Sequence, residues 1–174
     1  MGIQNVTLKS LEADDRELFI SDNQAAFLFG AVEEFGLRDN HFEEDGQIIS
    51  RKTIENSLDA KNSEAYRIFF NGEKSGGAVI RIDSLEKKGS LDLFFVSPDV
   101  HGKGIGYSAW LALEKLHPEI KIWETVTPYF EKRNIHFYVN KCGFKITEFF
   151  NKYHSEIHHA DDNFEMFRFE KVIH

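Results

Sequence analysis

The stretch SLDLFFVSPDVHGKGIGYSAW, residues 90–110, decides the fold. Its first seven residues form a short apolar run rich in phenylalanine and leucine, the composition of a strand. From Ile105 the period changes: Ile105, Ala109, Ala112, Leu113 and Leu116 recur at i, i+4, i+7, i+8 and i+11, a helix that Pro118 stops. Between strand and helix stand Gly102, Gly104 and Gly106 at alternate positions, with Lys103 among them. Glycines there allow backbone angles that a side chain forbids and let a ligand approach the main chain. The N–H groups of the first helical turn, backed by the helix dipole, then make an anion site. A phosphate or diphosphate is the expected occupant. A P-loop would need Ser or Thr after the lysine, and Gly104 is there instead. A Rossmann fingerprint needs GxGxxG in the first βα turn, whereas this GxGxG follows several strands.

Working outward, AYRIFF (65–70) and GGAVIRI (76–82) precede the 90–96 strand, and Asn71-Gly72 and Lys87-Lys88-Gly89 read as the turns of a meander. Upstream, Leu18, Ala25, Leu28, Phe29, Val32 and Phe35 predict a helix over 12–36 whose apolar stripe faces a core. Residues 37–64 read as a loop plus a helix or two. Downstream, KIWETVT (121–127) is a strand, and Ile135, Tyr138, Val139 and Cys142 predict a helix closed by Gly143. FKITEFF (144–150) and FEMFRFEKV (164–172) end the chain as strands. The order β-α-α-β-β-β-α-β-α-β-β describes a mixed α/β domain with one central sheet, a single domain over 1–174.

Composition narrows the function classes. Apolar residues are 41% of the 174 and charged residues 29%, the balance of an ordinary globular chain. No apolar run reaches the ~18 residues of a membrane span, and the N-terminus has no signal-peptide pattern, so no membrane partner is expected. The lone Cys142 excludes an internal disulfide and makes the cytoplasm the expected compartment. A net charge of −8 argues against a nucleic-acid partner. The charge is uneven: residues 1–60 carry 5 basic and 13 acidic side chains, while 101–145 carry 7 and 4, so the glycine loop sits in a locally basic stretch. Glu33, Glu34, Glu43, Glu44 and Asp45 suit a cationic ligand by steering, and equally a plain solvated surface. His154, His158, His159, Asp161 and Asp162 cluster within nine residues but read as a polar loop, and no metal is expected.

Val96-x-Pro98-x-x-His101-Gly102-Lys103-Gly104-Ile105-Gly106 resembles the acetyl-CoA diphosphate loop of the GNAT superfamily of N-acetyltransferases. His101 stands where that family has Gln or Arg. The segment Arg133–Phe144 resembles the family's second signature, with Tyr138 at the position of the tyrosine that protonates the departing thiolate. Glu131 occupies the position of the family's Asn, and Asn134 offers an amide one turn before Tyr138.

The resemblance implies a mostly antiparallel sheet of six to seven strands, flanked by about four helices, in which strands 90–96 and 121–127 run parallel and splay apart. Acetyl-CoA would be the cosubstrate. Its pantetheine arm would pair with Phe94, Phe95 and Val96, and a backbone N–H near Val96 would hold the oxyanion. The cofactor-binding set would be completed by His101, Gly102, Lys103, Gly104, Ile105, Gly106, Asn134, Tyr138 and Lys141. A small-molecule or peptide amine would attack directly, Cys142 being left to packing. The amine must first lose a proton, and Asp92, read as sharing a face with Phe94 and Val96, and Glu124 in the partner strand are the candidate bases. A non-catalytic acyl-CoA-binding or regulatory module is the competing reading, and a homodimer stays open.

Overall fold

The computed structural model describes residues 5–34, 47–154 and 165–174. Seven strands form one sheet in the order β1-β2-β3-β4-β5-β7-β6. They are β1 (Val6–Ser10), β2 (Ser63–Phe70), β3 (Glu73–Asp83), β4 (Lys88–Val96), β5 (Ile122–Pro128), β6 (Lys145–Phe150) and β7 (Met166–Val172). The helices are α1 (Arg16–Leu28), α2 (Arg51–Leu58), α3 (Ile105–Leu116) and α4 (Lys132–His136). Their order along the chain is the one expected. The β2–β3 turn has positive φ at both Asn71 and Gly72, the pair that a tight hairpin with right-handed twist requires.

Every neighbouring pair of strands is antiparallel except β4–β5. That parallel pair is short, running from Lys88↔Ile122 to Leu91↔Thr125. Beyond it β4 continues against β3 as far as Val96, and β5 continues against β7 as far as Pro128. The two strands therefore fork.

Alternation along the strands builds two layers. On one face Ala78, Ile80, Leu91 and Trp123 pack with Trp110 and Leu113 of α3 and with Tyr138, Phe144 and Phe169. On the other, Val79, Leu93 and Phe95 pack with Phe19, Ile20 and Ala26 of α1 and Ile54 of α2. A β-bulge in β4 leaves Asp92 as the extra residue, since Val79 pairs with Leu93 and Ile80 with Leu91. This inverts the alternation, so Leu91 and Leu93 point to opposite layers although they are two residues apart.

The α1 region departs from its sequence pattern in two ways. Its apolar stripe is Phe19, Ile20, Asn23 and Ala26, not the one running through Leu18, which is 48% exposed, and Ala25. A buried polar residue, Asn23, sits in the middle of the true stripe and hides its period; its amide has no hydrogen-bond partner among the described residues. As far as residue 34 the long helix expected over 12–36 is also three pieces: a 3₁₀ turn at Ala13–Asp15, then α1, then a π-helical segment at Phe29–Glu34, while Phe35 and Gly36 lie outside the described residues. A second π segment, Phe137–Lys141, follows α4, and Gly143 ends it with φ 83°. Both wide turns border the same cleft.

Candidate active site

The fork opens into a cleft of about 540 Å³. Phe94, Phe95 and Val96 of β4 form one wall, and the loop and first turn of α3, from Val100 to Tyr107, form the mouth with the exception of Lys103. Ala26 and Phe27 at the end of α1 and Gly30 in the π segment after it close one side; Glu131, Arg133, Asn134, Phe137, Tyr138 and Lys141 close the other. Because α1 and Tyr138 belong to opposite layers, the cleft passes through the sheet rather than lying on it.

The mouth is shaped by glycine. Gly102 and Gly104 have φ of 79° and 74°, and Gly104 is the left-handed residue from which α3 starts. Gly106 differs: a Cβ there would lie 3.4 Å from the Phe137 ring, an ordinary contact, so α3 and the π segment meet closely at this position. The first-turn N–H groups of α3 have no carbonyl one turn earlier in the helix. Lys103 leans away from the cleft, its Nζ 5.8 Å from the centre of the Phe70 ring.

His101 locks this loop to the strand. Its Nε2 lies 2.8 Å from the Val96 carbonyl, and Arg133 Nη1 lies 2.7 Å from its Nδ1. A carbonyl only accepts and a guanidinium only donates, so in these two contacts Nε2 is the donor and Nδ1 the acceptor. The Phe29 ring meets the imidazole edge-on at 5.9 Å, which brings the end of α1 onto the loop. Thus His101, where the family carries Gln or Arg, ties β4, α4 and the π segment after α1 together.

Tyr138 is 7% exposed and packed among Phe137, Phe144 and Phe169. Burial pushes its phenol well above the ordinary tyrosine range, with the neighbouring Cys142 and Glu131 adding to the rise. A hydrogen bond with the Thr125 side chain acts the other way. Thr125 marks the crotch of the fork, where its hydroxyl donates to the Leu91 carbonyl at 2.9 Å.

Of the expected site residues, Phe94, Phe95, Val96, His101, Gly102, Gly104, Ile105, Gly106, Asn134, Tyr138 and Lys141 come together around this cleft. Asp92 and Glu124 do not. Strict alternation puts Asp92 on the face of Phe94 and Val96; the bulge turns it to the opposite face, where Arg81 Nε lies 2.6 Å from its carboxylate and Ser57 donates at 3.4 Å. Burial raises its carboxyl above the usual value, against the pull of Arg81. Glu124 alternates with Trp123 and Thr125 and so faces away from Tyr138, with Lys88 donating to it at 3.2 Å. Sequence reasoning missed Thr125, Arg133 and the end of α1. A small polar residue inside a buried strand, and a glycine inside a helical pattern at Gly30, were the signals available. His154 shares a hydrogen bond with Glu148 at 2.8 Å and stacks on Phe150, while His158, His159, Asp161 and Asp162, like Glu43, Glu44 and Asp45, lie outside the described residues. Among the described residues no group of three or more His, Cys, Asp or Glu could hold a metal ion, and no helix is long and apolar enough to cross a membrane.

A mixed sheet forked at its one parallel pair, with a glycine-lined helix start at the mouth of the fork, is the architecture that the resemblance to acetyl-CoA-dependent acyltransferases implies. The model of the acetyltransferase (GNAT) family matches residues 20–144, and the chain belongs to that family. It is 45% identical over 180 residues to the uncharacterized protein YrkN of Bacillus subtilis (strain 168), covering 97% of this chain and 94% of that protein. Among solved structures it superposes on the ribosomal-protein-S18-alanine N-acetyltransferase of Escherichia coli with a TM-score of 0.68 at 16% identity, over 97% of this chain and 94% of that one. It superposes on the spermidine N-acetyltransferase of Vibrio cholerae, in complex with CoA and spermine, with a TM-score of 0.66 at 14% identity, over 96% and 95%. An acetyltransferase of Bacillus subtilis in complex with CoA gives 0.63 at 17% identity, over 99% and 100%.

Proposed function

We infer that this enzyme transfers the acetyl group of acetyl-CoA to a primary amine by direct attack in a ternary complex. One observation carries the reading: a single cleft leads from the amides around Gly102–Gly106, past the β4 edge that β5 leaves at the fork, to the buried phenol of Tyr138. The diphosphate of the cosubstrate sits at the mouth, where the dipole of α3 and its first N–H groups meet negative charge. The pantetheine arm runs along Phe94–Val96, beyond the last position that pairs with β5. A backbone N–H of that edge holds the oxyanion as the tetrahedral intermediate forms.

Tyr138 is the acid. Its high pKa keeps the phenol protonated until the sulfur carries charge, after which the thiolate takes the proton. Two of the proteins that share this fold act on spermidine and on the alanine of a ribosomal protein, both amines. An acidic chain of net charge −8 suits an acceptor of the same cationic kind.

Calorimetry with CoA and acetyl-CoA, followed by thiol release against a panel of amines, tests the reading. The expected result is acetyl-CoA binding and thiol release that depends on the amine. Binding without release on any amine would make the chain an acyl-CoA-binding module, and no binding would remove the assignment.

A further inference from the structure

The reaction needs a group that takes a proton from the acceptor, and neither strand carboxylate reaches the cleft. Among the described residues one carboxylate does line it: Glu131. It is 4% exposed, and it shares the lining of the cleft with Phe27, Phe94 and Phe137 and with the cationic side chains of Arg133 and Lys141. Its backbone is fixed at the start of α4, with its carbonyl accepting from the Ile135 N–H at 3.0 Å. The side chain does not cap that helix. It runs instead toward the end of α1, where a Cβ added to Gly30 would sit 3.8 and 3.9 Å from the two carboxylate oxygens. At the same time its charge is felt by the Tyr138 phenol. A carboxylate on the α1 side and a phenol in the opposite layer therefore share one cleft, with the β4 edge between α1 and Tyr138.

We propose that Glu131 receives the acceptor amine as an ammonium ion and takes the proton that frees its lone pair. The inference rests on the acetyl-transfer reading and names both the base and the substrate class: a primary aliphatic amine that arrives charged. In water the two groups lie about six pKa units apart, an ammonium near ~10.4 and a carboxyl near ~4.3.

The step balances as follows. The ammonium gives one proton to the Glu131 carboxylate and becomes RNH₂. Its lone pair attacks the thioester carbon, and the carbonyl π electrons move to oxygen. When that intermediate collapses, the C–S bond breaks and the thiolate leaves with the electron pair. Tyr138 protonates the sulfur and regains a proton from the nitrogen, which is still cationic. The proton on Glu131 is released to water, so one proton is lost per turnover.

Position 131 holds Asn in the family pattern that this chain resembles, which gives a clean control. A group that merely contacts the pantetheine arm is replaceable by Asn, whereas a base is not. Glu131→Gln and Glu131→Asn are measured with spermine and with a short peptide bearing a free α-amino group. Both variants are expected to bind acetyl-CoA within about threefold of wild type by calorimetry, which also reports that they fold. Both are expected to lose ~10²–10³-fold in kcat/KM for spermine, within the range of general base catalysis. The peptide loses less, since an α-amino group near ~7.7–8.0 is already partly neutral. In the variants kcat/KM for spermine rises about tenfold per pH unit, tracking the free amine, while Glu131→Asp retains part of the rate. Wild-type kcat/KM in Glu131→Asn, or a loss confined to acetyl-CoA affinity, overturns the proposal and leaves acetyl transfer standing. If the wild type itself binds no acetyl-CoA, or releases no thiol with any amine, the underlying reading falls and this one with it.

Discussion

Tyr138 and His101 show how far a single side chain can be read before a structure exists. The tyrosine was legible because a helix pattern and a family signature both pass through it, and it does line the cleft. Substituting it tests its role directly. Tyr138→Phe keeps the packing with Phe144 and Phe169 but removes the transferable proton. It is expected to lower kcat by about ten- to a hundredfold with acetyl-CoA affinity unchanged, less than the upper range for an acid because water substitutes. Single-turnover thiol release checks it, and an unchanged kcat would take Tyr138 out of the mechanism. His101 was visible only as a departure from Gln or Arg. Its acceptance from Arg133 spans 32 positions of chain, which no local pattern reports.

At the scale of elements, the loop at 102–106 was readable because three alternate glycines between a strand and a helix mark a backbone shaped for close approach. Two of them have positive φ, at Gly102 and Gly104, as the starting geometry of α3 demands. Gly104→Asp adds both backbone strain and a carboxylate beside the diphosphate site, and it is expected to reduce CoA binding beyond detection by calorimetry. Retained affinity would place the phosphate site elsewhere. What the elements concealed was phase. One bulged residue turned Asp92 to the face opposite Phe94 and Val96, and periodicity of two cannot foresee an extra residue in a strand. Similarly, an asparagine in the stripe of α1 and two π segments break the 3.6-residue count that a helical pattern assumes. The two π segments border the cleft, where packing has given way to a binding space.

For the whole molecule, the long-range tie that matters most is Arg67, which is 2% exposed in β2. Asp15, just before α1, accepts from it at 2.7 Å and from Lys74 at 2.7 Å, and Asp22 of α1 lies 3.0 Å from its Nη1. These pairs fasten the α1 layer to the sheet, with 52 positions between Asp15 and Arg67. Burial works against the Asp15 charge, but the hydrogen bonds from Arg67 and Lys74 outweigh it, and its carboxyl is held below the ordinary value. A carboxylate depressed in the folded state contributes stability above its unfolded pKa of ~3.9, and that contribution is lost as pH falls through the lower folded value. Asp15→Asn is expected to cost about 2 kcal/mol near neutral pH, below the usual 3–5 for breaking a buried pair because Asp22 still serves Arg67. Denaturant melts at several pH values check this. The difference from wild type should shrink as the solution is acidified below ~3.9, and a difference independent of pH would mean that packing, not charge, holds α1 in place.

The forked parallel pair has a mechanical consequence. Strands β1–β4 and strands β5, β7 and β6 form two leaves of one sheet, stitched to each other by only the four facing positions from Lys88↔Ile122 to Leu91↔Thr125. Whatever fills the open seam above that hinge acts as a rivet between the leaves, so occupancy of the cleft and rigidity of the entire sheet are one property seen from two ends.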